Sequence, residues 1–196
     1  MSNEMPLMIN EGMELGKIFA ESGVFPDIKS ASQGYIKILA GRELGLSPMQ
    51  SLNSFYFVNG KLGITANTIA ALIKNSKKYD YRIKIHTEQE CVIEFISIDD
   101  AVIGESAFSI KDAARAGIVN GVNWKNYPKN MLFCRALMNG ARWHCADVMS
   151  SFNVSIEELY DVTPEKTIKT VEIAENGEVT NGSNVTTKEV ETTVSK

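Results

Sequence analysis

Between residues 111 and 142 the chain carries six basic side chains, Lys111, Arg115, Lys125, Lys129, Arg135 and Arg142, against one acid, Asp112. Three rings, Trp124, Tyr127 and Phe133, fall in the same window. Cations that meet phosphates, interleaved with rings that stack on bases, form the side-chain set of a single-strand nucleic-acid binder. Arg135 and Arg142 are seven residues apart, so a helix starting at Pro128 places them on nearly the same face, with Leu132, Ala136 and Met138 on much of the rest. A helix this apolar is also ordinary core, and Arg135 can equally pair with a carboxylate from another element.

Other chemistries lack their residues. There is no Walker-type phosphate loop and no G-x-G-x-x-G after a strand, so nothing points to a nucleotide cofactor or ATP hydrolysis. Cys91, Cys134, Cys145, His86 and His144 contain no C-x-x-C or H-x-x-x-H pair to seed a metal site. A cysteine inside an amphipathic helix is normally packing, so Cys134 or Cys145 with a histidine is a weak nucleophile pair. Asp99-Asp100 fits a turn. The expectation is no catalytic residues, no metal and no cofactor.

These side chains must be placed by local elements. Residues 7–21 read as a helix ended by Ser22-Gly23, and a second helix runs from Ser30 or Ser32 to Gly45. Ser47-Pro48 opens a short third helix. Asn59-Gly60 between residues 55–58 and 61–64 predicts a type I′ hairpin, and Thr65 caps the helix that follows. Strands are expected over 81–87, 90–98 and 101–108. Simple alternation puts Tyr81, Ile83 and Ile85 on one face and Arg82, Lys84 and His86 on the other, so that face begins basic. Ser109 caps a helix over 112–116 stopped by Gly117, and residues 123–127 read as a polar aromatic loop. This predicts an α+β fold, a short antiparallel sheet (hairpin plus three-stranded meander) flanked by helices.

The 196 residues allow one domain with a sizeable core and an appendage. Residues 1–154 carry 16 Lys or Arg and 15 Asp or Glu, whereas 155–196 carry 4 and 9, so the overall charge of −4 belongs to the tail. Low apolar content makes 161–196 an expected disordered acidic tail behind a binding domain over 1–160. Three cysteines without paired spacing, no signal-like start and no long apolar run fit a cytoplasmic protein with no membrane partner.

Taken in order, Lys37-Ile-Leu-Ala-Gly-Arg-Glu-Leu-Gly-Leu-Ser-Pro48, Val58-Asn-Gly-Lys-Leu-Gly63 before a helix, Tyr79-Asp-Tyr81, and Asn123-Trp-x-x-Tyr-Pro128 with Met131-Leu-Phe-x-Arg135-Ala resemble the RecT/Redβ-type single-strand annealing proteins of bacteriophages, over residues 13–160. The resemblance implies ATP-independent binding and annealing of single-stranded DNA in phage recombination. It also implies a homo-oligomer, ring or helical filament, with a phage exonuclease and the host single-strand binding protein as partners. It places groove cations at Lys61, Lys111, Arg115, Lys125, Lys129, Arg135 and Arg142. Arg82, Lys84, Trp124 and Tyr127 join them from the residue reading. The rival readings are a non-enzymatic phage regulator that binds protein, and a small Cys/His enzyme.

Overall fold

The computed structural model of the chain describes residues 4–150, 152–161, 172–173 and 179–180. Local signals set most of the element ends. Helix α1 (Glu4–Glu21) is followed by α2 (Ala31–Glu43), whose N-cap Ser30 accepts from the Gln33 N–H. Helix α3 (Pro48–Ser54) starts at a full capping box, Ser47 with Gln50. Strands β1 (Phe55–Val58) and β2 (Lys61–Ile64) pair across Asn59 and Gly60, both at positive φ as a type I′ turn requires. Thr65 caps α4 (Ala66–Asn75).

Strands β3 (Tyr79–His86), β4 (Glu90–Ser97) and β5 (Val102–Ser109) form an antiparallel sheet in the order β3-β4-β5. Then come α5 (Ile110–Arg115), with a Ser109/Asp112 capping box, α6 (Val122–Asn126), α7 (Pro128–His144), α8 (Ala146–Met149) and α9 (Ile156–Asp161). The α+β architecture of hairpin, meander and flanking helices is as expected. Residues 123–126, read as loop, are helical in α6, where Trp124 has a buried face to satisfy.

One face of the sheet holds the core. Cys91, Ile93 and Phe95 of β4 are buried against α7, whose Leu132, Ala136, Leu137 and Met138 are fully covered. Helix and sheet approach closely at Gly140, where a Cβ would collide with the Phe95 ring. The simple alternation expected along β3 fails at Lys84. There the register slips, so Ile83 stands opposite Ile93 on the core face while Ile85 stands opposite Val92 on the other. A bulge inserts one extra residue and swaps faces beyond it. His86 therefore turns inward, with its Nε2 3.1 Å from the Lys129 carbonyl oxygen and its ring 6.0 Å from that of Phe133.

The α1–α2 hairpin packs through small residues: Gly16 lies against Ala31 and Gly34. Lys37 is the buried cation of this layer, 2.9 Å from Asp27 and 4.7 Å above the Tyr56 ring. Burial pulls its pKa down, and the Asp27 contact offsets part of that.

Contacts divide the chain into Met1–Val162 and Thr163–Lys196. The expected disorder of the tail falls outside the described residues. The tail's described part is a short pair, β6 (Glu172–Ile173) with β7 (Val179–Thr180).

Candidate nucleic-acid interface

The central helix α7 carries its two arginines on one side, as their spacing requires, but both point into a protein-built network. Arg135 donates from Nε to Asp161 at 3.1 Å and also reaches it through Nη2, while Nη1 lies 3.4 Å from Glu158. Trp124 donates from Nε1 to the other Asp161 oxygen at 2.8 Å. Arg142 donates to the Asn153 carbonyl at 2.8 Å, to Asn139 at 3.1 Å and to Glu158. The Asp161 side chain is only 5% exposed and that of Arg135 17%. These groups clamp α9 onto α7. The donors of both guanidiniums are engaged by protein acceptors, so Arg135 and Arg142, expected among the DNA-contacting cations, serve as fasteners in this structure. Trp124, expected to stack on bases, is buried against Phe108 at a ring separation of 6.1 Å and has no free face.

A cleft of about 530 Å³ opens beside the clamp, lined by Lys61, Leu62, Arg135, Arg142, Asn153 and Glu158 among others. Lys61, exposed on the hairpin, is the cation there without an ion pair among the described residues. Arg82 and Lys84 lie apart from this cleft, on the sheet. Arg82 pairs with Asp100, and Lys84 sits 2.9 Å from Glu105 and 3.4 Å from Glu94. Glu105 first and Glu94 second raise the Lys84 pKa. Exposed pairs of this kind are worth at most about 1 kcal/mol and yield to a competing phosphate.

The remaining residues gather at one end of the three-stranded sheet. The start of α5 is held there by the Ile110 N–H donating to the Gln89 carbonyl at 2.8 Å, and the start of α7 by His86 against Lys129. The Phe108–Trp124 contact brings α6 to the same end. Lys111, Lys125 and Lys129 are exposed there and make no ion pair among the described residues. Among the described residues Arg115 pairs only with its helical neighbour Asp112, at 3.3 Å. Tyr127, at the α6–α7 junction, is 61% exposed. Three ammonium groups unpaired among the described residues, one guanidinium and an exposed phenol ring thus lie at this end of the sheet, the side-chain types that phosphate contact and base stacking use.

Sequence reading allowed Arg135 an acid partner but did not identify it. Asp161 and Glu158 lie 26 and 23 residues beyond Arg135, and only their position on an apolar-faced turn, residues 155–160, hinted that the segment docks. Of the two tryptophans it is Trp143, near the end of α7, that is exposed, at 63%.

The three cysteines are free and buried. Burial pushes the thiols of Cys91 and Cys145 up to about 11, and that of Cys134 higher still, with Glu157 beside it adding to the effect. Protonated, enclosed thiols are poor nucleophiles. A thiol-directed reagent at pH 8 is therefore expected to label none of the three until the chain is unfolded. Because these folded-state values lie above the ordinary 9.0, their contribution to stability is complete below that pH and is lost as pH rises through about 11. Fast labelling of the folded chain would contradict the burial. No group of three or more His, Cys, Asp or Glu among the described residues is arranged to hold a metal ion, and no described helix is long and apolar enough to cross a membrane.

Comparison with protein-family models, curated proteins and solved structures finds no match for this chain.

Proposed function

We propose that this chain binds single-stranded DNA through its phosphates and anneals complementary strands without ATP, as an oligomer acting in phage recombination. The observation that carries the reading is the cluster of Lys111, Arg115, Lys125, Lys129 and Tyr127 at one end of the sheet, with three cations unpaired among the described residues. A surface made chiefly of cations, with one exposed ring, favours backbone contact over sequence readout. The resemblance of the motif order to that of phage annealing proteins supports strand pairing as the use of that surface. A phage exonuclease and the host single-strand binding protein are the partners that go with it.

The test is fluorescence anisotropy of a labelled oligonucleotide over a salt series. With about four cations neutralising phosphates, log K should fall with log[salt] at a slope near −2.8, so a fourfold rise in salt weakens binding roughly 50-fold. Oligonucleotides of different sequence should give the same slope. Adding complementary strands should speed duplex formation with no nucleotide present. A flat salt response, or binding that follows sequence, would discard the reading.

A further inference from the structure

Away from the cationic cluster, helix α4 is bordered by two clefts that share Leu72 and Asn75 and so run into one another as a single groove. The larger, about 580 Å³, lies between α3 and α4 and takes in Glu157 of α9. The smaller, about 380 Å³, takes in Glu43 of α2 together with Lys78 and Asp147. Volumes of this size suit a small molecule. A helix of 10 residues is about 15 Å long, so a groove that follows it is elongated.

The lining of the groove is one-sided in charge. Gln50, Asn53 and Asn67 bring carboxamides to the larger cleft, and Leu46, Ala71 and Leu72 an apolar wall. Glu157 is its one charged side chain among the described residues. One oxygen of that carboxylate, Oε2, is buried and accepts no hydrogen bond among the described residues. A buried acceptor left without a donor is costly, and a ligand that brings a donor recovers the loss. In the smaller cleft Lys78 is held by Asp147 at 2.8 Å. That leaves Glu43, exposed and in no ion pair among the described residues, as the uncompensated charge there. Three acids against one lysine give the described lining two net negative charges, one uncompensated carboxylate in each cleft.

We propose that this groove binds a linear aliphatic polyamine, with one terminal ammonium at Glu157, the other at Glu43, and the methylene chain along Leu72. An ammonium has three donors and no acceptor, which matches a site of one carboxylate oxygen, carboxamides and hydroxyls. A guanidinium fits less well, because its fork seeks both oxygens of a carboxylate and the Cys134 thiol engages part of Glu157. A monoamine cannot serve two carboxylates in separate clefts, whereas a chain with an amine at each end can. The apolar wall suits methylenes, which bury against it while the charged ends stay polar-bound. Glu157 adjoins Glu158, which helps clamp α9 to α7. A ligand held there only in the folded chain therefore fastens α9 and raises the melting temperature. The groove shares no residue with the cationic cluster and does not rest on the nucleic-acid reading.

Isothermal titration calorimetry of the full chain with spermidine, at fixed ionic strength and without nucleic acid, tests this. Spermidine should bind saturably at one site per chain and raise the melting temperature. Butylammonium, with one amine, should bind several-fold more weakly, and tetramethylammonium, a cation with no N–H donor, should not compete. Glu157→Gln, close in shape but uncharged, should weaken spermidine by about tenfold or more, as expected for a lost charge-assisted hydrogen bond. Glu43→Gln, at an exposed position, should weaken it roughly threefold. Glu88→Gln, an exposed acid on the β3–β4 turn, should change nothing. Circular dichroism confirms folding, and Ala71→Met, which fills the apolar wall from an exposed position on α4, is a second blocking variant should Glu157→Gln misfold. Absence of saturable binding overturns the proposal. So does unchanged affinity in folded Glu157→Gln, Glu43→Gln or Ala71→Met. Equal loss in Glu88→Gln, or equal binding of tetramethylammonium, shows only the general attraction of cations to an acidic chain and overturns it too. No arm contains an oligonucleotide, so failure here leaves the function reading to its own salt series.

Discussion

Replacing Asp161 with Ala is expected to destabilise the fold by about 3–5 kcal/mol, the usual cost of removing one partner from a buried ion pair. Its carboxylate is 5% exposed and serves two elements at once, accepting from the Trp124 indole on α6 and from the Arg135 guanidinium on α7. Without it a largely buried guanidinium keeps only a 3.4 Å contact with Glu158, and an indole N–H has no acceptor. For a chain of this size the melting temperature should fall by roughly 6–20 °C. The same reasoning moves the domain boundary. A chain ending at Tyr160 lacks the carboxylate and should melt early, against the expectation that residues 1–160 suffice, whereas one ending at Val162 should melt as the full chain does. Replacing Arg135 and Asp161 together with apolar residues should recover much of the loss, since a packed apolar pair replaces a buried ion pair at little cost. Equal melting of the two truncations would show that Asp161 does not fasten α9.

Where the sequence was legible, the signal was local. Asn59-Gly60 permits two positive φ values in succession, Ser47 and Ser109 have acceptors three residues on, and the strands around them follow from those punctuation points. The β3 bulge was not legible because Tyr81, Ile83 and Ile85 alternate without a break. What moves Ile85 to the outer face is the register with Val92, a property of the partner strand. The site was split for the same reason. Lys111, Lys125 and Lys129 could be read as exposed cations one by one, since the one acid near them, Asp112, follows Lys111 directly and a residue at i+1 does not face it on a helix. The fate of Arg135 and Arg142 depended on acids that α9 brings back across many residues. Composition counted all six cations alike, and only tertiary pairing separates the free from the committed.

That separation fixes what the double replacement of Lys125 and Lys129 with Ala should do. Both side chains are exposed, neither forms an ion pair among the described residues, and the contact that Lys129 makes with His86 uses its backbone carbonyl, which Ala retains. Stability should therefore stay within about 0.5 kcal/mol of the natural chain. Binding should not. Each phosphate deprived of its cation takes about 0.7 off the salt slope, which at 0.1 M salt is roughly a fivefold drop in affinity, so the pair should weaken an oligonucleotide roughly 25-fold. Leu137→Ala should behave the opposite way. Leu137 is fully buried among the residues that seat α7 on the sheet, so truncation should cost about 2–5 kcal/mol and leave the affinity of the remaining folded protein unchanged. Melting temperature and oligonucleotide affinity measured on the same preparations resolve the two effects. A Lys125/Lys129 variant that melts early and binds normally would mean that these lysines hold the α6–α7 junction and that the phosphates lie against another face.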